Sequence, residues 1–582
     1  MRKTLIDLTS NIDTYKKLYL TSADKKPEEI QLWNKIEGGI NQIISNKRSP
    51  YISKKLQRPI VCLLTPEIIS LPDNMGNLAQ IISTSNGGGG GLADISGALA
   101  TELNRLGVNV HVAMPEYKHL LIQEAMLIGK DYEIIKRELK DDSKIHLISD
   151  GIFESTQNVY DDPNLMLNKV QLRKAMAFSR AIIYNLFPKL KSKNKNIIVH
   201  ANDWMTALPV SAAKSQGMGA VMTFHNGFTY AVTPREINEY HINVKSFYQY
   251  LYFRDHPDKH FGSFDVNYHH NRVDLMASAL FAADRINTVS PTYLKEIIND
   301  YFLDPPNIVP DKIREIVKIR FNQNCASGIL NAPSADNDPR YDKMIKHRYW
   351  YEKTDDSTLL SVEEGKRKNK LIFQKNANLN QDPDAPLLFW PSRISEPQKG
   401  FFVFNETVYD LIRNFNLQIA VVAVGDENLI NNFKSHQFNF PGRVSYVPFS
   451  RILSQMGKAG SDFIIMPSLY EPCGIPQLEC PKYGTFPIVR RTGGLADTIE
   501  EMNSEGSIGN GFLFENLDKG AIYYGVKKAM DFYNKGQEFR TKVAKRVMRE
   551  SAEKFNITRT AKQYIDVYTD VAKRNKMDVK II

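Results

Sequence analysis

Cysteine is scarce in this sequence, and long apolar runs are missing from it. The 582 residues include four cysteines, and none of them has the spacing of a zinc finger or of a redox CxxC pair. No run approaches the roughly 18 apolar residues that span a bilayer. The N-terminus lacks the apolar core and the cleavage site of a signal peptide. We therefore predict a protein of the reducing cytoplasm with no membrane partner.

The sequence also lacks a large excess of charge of either sign. Its formal net charge is +10, with 42% hydrophobic and 24% charged residues, which is an ordinary globular composition. A net positive charge of this modest size fits an anionic small ligand or mild surface polarity. It does not establish a nucleic-acid-binding surface. We expect no nucleic-acid partner, and the sequence does not indicate an oligomeric state.

Familiar metal and dinucleotide motifs are missing as well. His200 and His225 follow strand-like runs, but no HxH, HExxH or cysteine partner accompanies them. Contact with a sugar or capping of a loop is therefore expected of them rather than metal ligation. The glycine run 87–91 departs from GxGxxG, because Leu92 takes the place of the third glycine, and it lacks the Lys-Ser/Thr of a P-loop. A dehydrogenase or a P-loop NTPase is thereby disfavoured.

Short apolar runs separated by helical stretches make up most of the chain. Continuous apolar runs are typical of parallel strands buried on both faces, and their alternation with helices predicts doubly wound α/β sheets. The predicted strands are 59–68, 109–115, 196–203, 220–226 and 285–290 in the first half, and 386–393, 417–425, 443–449, 462–468 and 486–491 in the second.

The alternation stops between about residues 332 and 385, where the sequence is polar and rich in Pro and Asn. We place a domain boundary there. The predicted parts are an N-terminal extension at 1–58, helical or partly disordered, a first Rossmann-like domain at 59–335, a linker at 336–385, a second Rossmann-like domain at 386–550, and a C-terminal helix packing back on the body at 551–582.

Two glycine loops and three charged residues are the candidate binding groups. GGLAD occurs at 90–94 and at 493–497, each time before a helix-like stretch, where backbone N–H groups can face an anion. Arg393 at a strand end and Lys399 six residues later can neutralise a diphosphate leaving group, although a solvated loop is the alternative. Glu471 follows a buried strand and can bind sugar hydroxyls at a switch-point crevice; a surface glutamate is the alternative.

Taken together, these stretches resemble the bacterial glycogen synthase and plant starch synthase family of retaining glucosyltransferases. The matching segments run in the family's order over residues 59–575: GGLADISGALATELNRLGVNVHVAMPEY, HANDWMTALP, TFHN, NTVSPTYLKEI, GILN, SRISEPQKGF, MPSLYEPCGIPQLECPKYGTFPIVRRTGGLADT and GNGFLFEN. The resemblance implies a GT-B fold, with two Rossmann-like domains facing an interdomain cleft. It implies transfer of glucose from ADP-glucose or UDP-glucose to the non-reducing end of an α-1,4-glucan, with retention and without a metal or other cofactor.

The resemblance also implies roles for particular residues. Arg393 and Lys399 hold the diphosphate, Glu471 sits at the donor glucose, and His225 positions that glucose near its anomeric centre. The residues assigned to donor binding are Gly90, Gly91, Asp94, Thr492, Gly493 and Gly494. Asp203 and Asn226 are assigned to the acceptor side of the cleft.

The sequence departs from the family pattern at three places. Gly88 stands where the family's first loop has lysine, Met205 stands where it has histidine, and Ala332-Pro333-Ser334 replaces Gly-Ile-Asp. Two alternatives therefore stay open beside the glucan synthase. One is a glucosyltransferase of the same fold that acts on another acceptor, and the other is a catalytically weak, glucan-binding regulatory protein.

Overall fold

The structure is a computed structural model, and it describes residues 57–68, 71–75, 79, 91–118, 144–154, 159, 169–255, 264–303 and 308–582. From Arg58 onward the chain belongs to one unit. The predicted N-terminal extension lies outside the described residues apart from its last two positions. Gly88 and Gly90 of the first glycine loop also lie outside them.

Within the described ranges, the first domain contains a parallel sheet of seven strands in the order β3-β2-β1-β4-β5-β8-β9. Each residue of β1 is buried, as expected of a continuous apolar run in the middle of a sheet. The order reverses between β1 and β4, and this creates a switch-point crevice at their carboxyl ends. The strands are β1 (Ile60–Leu64), β2 (Val110–Pro115), β3 (Ile145–Ile148), β4 (Ile197–Asn202), β5 (Gly219–Phe224), β8 (Arg285–Thr288) and β9 (Ala326–Gly328), and the antiparallel pair β6 (Ala231–Val232) and β7 (Val273–Asp274) stands apart.

Helices follow most strands of this first sheet. Glycine or proline begins several of them, and Thr233, Asp274 and Ser290 cap α6, α8 and α9 with side-chain oxygens. The helices are α1 (Gly91–Arg105), α2 (Gly151–Glu154), α3 (Lys169–Ala181), α4 (Phe187–Lys193), α5 (Leu208–Ser215), α6 (Pro234–Glu239), α7 (Phe264–Tyr268), α8 (Leu275–Ala282), α9 (Pro291–Ile298) and α10 (Asp311–Asn322). Shorter helical turns are Asp73–Met75, Trp204–Thr206, Val244–Tyr250 and Tyr301–Leu303, and a π-helical turn covers Ile182–Leu186.

The second domain repeats this architecture with six parallel strands in the order β14-β13-β12-β15-β16-β17, in the part of the chain that the structure describes. Its switch point lies between β12 and β15, where Leu388 pairs with Phe463. The strands are β12 (Leu387–Trp390), β13 (Gln418–Ala423), β14 (Val444–Pro448), β15 (Phe463–Met466), β16 (Phe486–Arg490) and β17 (Phe512–Phe514). The helices are α12 (Phe401–Asn414), α13 (Glu427–Asn439), α14 (Arg451–Gly460), α15 (Pro476–Glu479), α16 (Gly493–Thr498), α17 (Lys519–Tyr533) and α18 (Gln537–Lys554), with a 3-10 turn at Cys480–Tyr483. The predicted fold of two doubly wound parallel sheets is confirmed.

Residues 336–385, predicted as a linker, are folded onto the second domain. They form the short parallel pair β10 (Tyr349–Trp350) and β11 (Leu360–Ser361) and the 15-residue helix α11 (Val362–Asn376). Tyr349 is fully buried and belongs to the same apolar core as β12 and β13. The prediction of a linker is wrong because charged residues of this helix have buried partners elsewhere in the domain.

The segment 551–582, predicted as a helix packing back on the body, contains helix α19 (Ile557–Arg574), which packs on the first domain. The helix before it continues to Lys554, past the predicted domain boundary at 550. Tyr564, Tyr568 and Val571 of α19 join the apolar core that covers one face of the first sheet. His200 is fully buried below this helix, where a ring nitrogen lies 2.8 Å from the Tyr568 hydroxyl. Of the two roles expected of His200, contact with a sugar is therefore wrong, because the side chain is fully buried.

No helix in the described part of the chain is both long enough and apolar enough to cross a membrane.

Candidate active site

A buried ion pair marks the switch point of the second sheet. Lys399 follows β12 and Glu471 follows β15, and the Lys399 ammonium donates to a carboxylate oxygen of Glu471 at 2.5 Å. The two side chains are only 13% and 6% exposed. Ser468 donates a second hydrogen bond of 3.1 Å to the same oxygen. Two residues that are 72 positions apart thus form one charged centre at the carboxyl edge of the sheet.

Glycine at position 400 brings this lysine into place. Gly400 has a φ of +64°, and a Cβ there would overlap the carbonyl oxygen of Pro467. The loop after β12 can therefore lie directly on the loop after β15 only because residue 400 carries no side chain.

Arg393 lies on the same loop and differs from Lys399 in its exposure. Its guanidinium is exposed and donates to Ser395 Oγ at 3.2 Å and to Gln398 Oε1 at 2.8 Å. These neutral partners leave its charge uncompensated, so the guanidinium is available to an anion at this edge.

The second glycine loop packs against the backbone that carries Glu471. The Gly494 N–H donates to the Glu471 carbonyl at 2.9 Å. A Cβ on Gly493 would overlap that carbonyl, and a Cβ on Gly494 would overlap the Cys473 carbonyl. The observed role of these glycines is therefore close packing that fixes the Glu471 turn. The role of Thr492, Gly493 and Gly494 in donor binding stays a prediction.

The acceptor-side residues predicted in the first domain cluster at the ends of β4 and β5. Asp203 accepts from the His225 N–H at 2.7 Å and from the Asn226 amide at 3.3 Å. His225 Nε2 lies 3.1 Å from Asn202 Oδ1, so this nitrogen carries the proton. Asp203 has φ 60° and ψ 172°, a region that residues other than glycine rarely adopt and that is typical of functional sites.

Burial sets the protonation of this cluster. It raises the pKa of Asp203 to about 7, against the opposing effect of the backbone hydrogen bonds from His225 and Asn226. It lowers the pKa of the His225 imidazole to about 4. His225 is therefore a neutral hydrogen-bonding group at physiological pH and not a cation.

The first glycine loop ends opposite the second domain. Helix α1 begins at Gly91, and a Cβ on this glycine would lie 3.6 Å from Ile475 of the second domain. Burial and the nearby Glu479 raise the pKa of Asp94 to about 6, while Arg451 and Lys458 lower it. Asp94 thus faces charged groups of the second domain across the cleft. Gly90, which is predicted with Asp94 to bind the donor, lies outside the described residues.

Sequence reasoning missed the direct contact between the two domains beside this site. Glu296 of α9 accepts from the Gly493 N–H at 2.8 Å and from the Thr492 hydroxyl at 3.0 Å. In return, Asp497 of α16 accepts from the N–H and the hydroxyl of Thr292, at 2.9 and 2.6 Å. Both acids stand in segments that resemble the family, NTVSPTYLKEI and GGLADT, but nothing in either segment indicates that they pair.

Two family models match this chain. The model of the starch synthase catalytic domain matches residues 88–304, and the model of glycosyl transferases group 1 matches residues 373–546. The catalytic domain of starch synthase IV from Arabidopsis thaliana, solved with ADP and acarbose, has a TM-score of 0.67 to this structure at 21% sequence identity, covering 89% of this chain and 100% of that chain. The fold and the matched models define a two-domain glycosyltransferase of GT-B architecture.

Relatives with known names give the finer classification. Glycogen synthase from Thermotoga petrophila is 30% identical over 512 residues, which cover 82% of this chain and 95% of the relative. Glycogen synthase from Fervidobacterium nodosum is 29% identical over 510 residues, with the same two coverages. The chain belongs to the glycogen synthase and starch synthase family, as the resemblance of its motifs predicted.

Proposed function

We propose that this protein transfers glucose from a nucleotide-glucose, ADP-glucose or UDP-glucose, to the non-reducing end of an α-1,4-glucan with retention of configuration. The observation that carries the proposal is the buried Lys399–Glu471 pair with the exposed Arg393 beside it, at the switch point of the second sheet. In a doubly wound fold this crevice is where nucleotides bind.

The two cations differ in what they offer a diphosphate. The Arg393 guanidinium presents a planar set of N–H donors that suits two phosphate oxygens at once. The Lys399 ammonium is a compact charge held in place by Glu471 and shielded from water. Together they supply the positive charge that stabilises the diphosphate as it leaves, so we propose that the reaction needs no metal or other cofactor.

In the transfer step, the bond between the anomeric carbon and the phosphate oxygen breaks and a bond to the acceptor's 4-oxygen forms on the same face. The proton of the acceptor hydroxyl goes to the departing diphosphate, so no side chain of the protein acts as its base. Glu471 accepts hydrogen bonds from hydroxyls of the donor glucose. The neutral His225 lies at the opposing edge, with Asp203 and Asn226 holding its backbone and the loop that follows.

The names of the relatives support this acceptor, because the compared bacterial proteins are glycogen synthases. The starch synthase IV structure contains ADP and acarbose, which supports an adenine nucleotide and a glucan-like ligand for this fold. ADP-glucose and UDP-glucose both stay candidate donors, and the cytoplasmic location stays a prediction from the sequence.

The test is a transfer assay with purified protein and radiolabelled ADP-, UDP- or GDP-glucose, combined with glycogen, maltose or no acceptor. We expect label in glycogen, and loss of that label in Arg393→Ala and in Lys399→Ala. A labelled small product, or label on the protein itself, favours another acceptor. Retention of glycogen on the protein without any transfer favours the regulatory alternative.

Two further arms of the same assay test the stereochemistry and the metal. The new linkage is expected to have the α configuration, and proton NMR of the anomeric signal checks it. Transfer is expected to be unchanged after dialysis against EDTA. A loss that Mg²⁺ or Mn²⁺ restores contradicts the metal-free mechanism.

A further inference from the structure

Two short helices from different domains lie side by side and run in opposite directions beside the proposed donor site. Helix α9 of the first domain supplies Glu296 to the start of α16, and α16 of the second domain supplies Asp497 to the start of α9. Each N-terminus thus receives a carboxylate from the other domain, which is the favoured ligand for unpaired N–H groups at a helix start. We name the four hydrogen bonds that Glu296 and Asp497 accept from the other domain the reciprocal cap.

We propose that Glu296 is a positioning residue for the transfer reaction, holding the Thr492–Gly494 loop so that Glu471 and Lys399 keep their geometry. This inference rests on the proposed function, because it gives Glu296 its role through the residues assigned to the donor. Neither the resemblance nor the motif reading assigns Glu296 any function.

A short chain of contacts connects Glu296 to Lys399. Glu296 binds the Thr492 hydroxyl and the Gly493 N–H, and the next N–H, of Gly494, donates to the Glu471 carbonyl. The Glu471 carboxylate in turn accepts from Lys399. One residue of the first domain is therefore three hydrogen-bonded steps from a cation in the second.

Tight packing makes these steps rigid. Both glycines of the loop lie against carbonyl groups of the Glu471–Cys473 turn so closely that a single added carbon would overlap them. A loop packed in this way cannot move without moving the turn, since close-packed interiors transmit displacement. Loss of the Glu296 contact is therefore expected to reach Glu471 and to change how the donor is used.

The chemistry of Glu296 suggests a conservative replacement. One carboxylate oxygen, Oε1, accepts both hydrogen bonds, and the other, Oε2, is buried without a hydrogen-bond partner among the described residues. Burial also raises the pKa of the Glu296 carboxyl. A neutral glutamine keeps the accepting oxygen and places its amide where Oε2 lies, so it preserves the contact to the loop.

The experiment compares four proteins: the parent, Glu296→Ala, Glu296→Gln and Thr292→Val. The last is a matched control, because it removes a hydrogen bond from the other half of the reciprocal cap without touching the glycine loop. Initial rates are measured with varied donor at saturating glycogen and with varied glycogen at saturating donor. The donor is the nucleotide-glucose that the parent uses.

We expect Glu296→Ala to lower kcat/KM for the donor by about tenfold or more, as for loss of hydrogen bonds to a charged group. The KM for glycogen is expected to stay unchanged, Glu296→Gln to recover most of the loss, and Thr292→Val to stay within about twofold of the parent. Hydrogen exchange of the backbone amides of 494–497, which Glu296 does not touch, is expected to be faster in Glu296→Ala.

The inference is overturned by parent-like donor kinetics in Glu296→Ala, by equal losses in Glu296→Ala and Thr292→Val, or by an unchanged exchange rate at 494–497. A glutamine variant as impaired as the alanine variant also overturns it. If Glu296→Ala does not fold, Glu296→Asp withdraws the carboxylate from the loop by one methylene while keeping its charge, and it carries the same expectation. A parent without transfer activity refutes the proposed function alone, and hydrogen exchange then decides the role of Glu296.

Discussion

Replacing Lys399 with methionine removes the cation that neutralises Glu471 and keeps the length of the side chain. In the native protein the two charges are 2.5 Å apart and almost entirely shielded from water, with Ser468 as the other partner of the same carboxylate oxygen. The substitution leaves a carboxylate buried at 6% exposure with a hydroxyl and no cation. The structure therefore predicts losses of both stability and activity.

The expected loss of stability follows from the burial of this pair. Removing one partner of a buried ion pair costs about 3–5 kcal/mol, because the remaining charge stays desolvated. The lower end applies here, since Ser468 still donates to the carboxylate. About 3 kcal/mol lowers the thermal midpoint of a domain of this size by roughly 6–12 °C. Loss of a cation at the leaving group is expected to lower kcat by about 10²–10³-fold.

Differential scanning calorimetry and the transfer assay measure the two losses separately. Arg393→Met is the contrasting variant, because Arg393 is exposed and bound to neutral groups, so it is expected to lose activity at an unchanged thermal midpoint. Lys375→Met, at an exposed lysine of α11, is the control and should change neither quantity. The double variant Lys399→Met, Glu471→Gln should recover most of the stability but none of the activity.

Three results refute this reasoning. A thermal midpoint of Lys399→Met within about 2 °C of the parent means that the buried pair does not stabilise the domain. A double variant no more stable than Lys399→Met means that the uncompensated charge is not the cause of the loss. Full transfer activity in either lysine or arginine variant removes that residue from the proposed leaving-group site.

Other predictions follow from single positions. Gly494→Ala should lower the thermal midpoint and abolish transfer, because the added Cβ overlaps the Cys473 carbonyl. Gly151→Ala is the control and should change neither quantity, since there is open space around that glycine. Equal thermal midpoints for the two variants would contradict the packing argument. Asp203 has a folded-state pKa of about 7 against 3.8 for the free group, so the folded protein keeps a proton that the unfolded chain loses, and stability should fall as pH rises between these values. In thermal midpoints measured from pH 4 to 8, Asp203→Asn should show a smaller fall with rising pH than the parent. An equal fall in both proteins would mean that Asp203 does not cause the pH dependence. Gly88→Lys restores the cation of the family's first loop and should lower the donor KM by about tenfold, as for one added charge contact; an unchanged KM and rate show that this position does not contact the donor.

The strands could be predicted from the sequence because each is a continuous apolar run. Nine of the ten predicted runs contain a whole strand, and the tenth misses only the first residue of β5; the buried β1, β4 and β13 illustrate the reason. Three missed strands of the two sheets are β3, which is buried only at its two ends, β9, which consists of Ala, Ser and Gly, and β17, which is apolar and buried but only three residues long. Continuous apolar runs therefore identify every inner strand of the two described sheets, but of their four edge strands they identify only β14.

Helix α11 shows why the linker prediction was wrong. Its charged sequence contains Lys366, whose ammonium donates to three backbone carbonyls and to Thr485, all at least 93 positions away. Lys370 is likewise buried against Asp462 at 2.6 Å. A charged residue is predicted to be exposed when no acceptor lies close to it in the sequence. The acceptors of Lys366 and Lys370 come together only in the folded domain.

In the candidate site, too, some features could be predicted from the sequence and others depend on the folded structure. Lys399 and Glu471 could be found because each follows an apolar strand, and parallel strands bring their carboxyl ends to one edge. The contact of Glu296 with Gly493 could not be predicted, since it depends on how the two domains pack together. Donor binding by the loop glycines stays a prediction, and the structure adds a steric reason for glycine at Gly493 and Gly494 that the sequence does not contain.

The return of α19 to the first domain has a consequence for synthesis of the chain. On the ribosome the first sheet emerges hundreds of residues before the helix that covers one of its faces, where Tyr564 and Val571 belong to the same apolar cluster as side chains of β1 and β5. N-terminal domains generally fold first during translation, but here the nascent first domain exposes that face until residues 557–574 are released. Chains truncated before Ile557 should therefore bind chaperones or aggregate, although both sheets are complete.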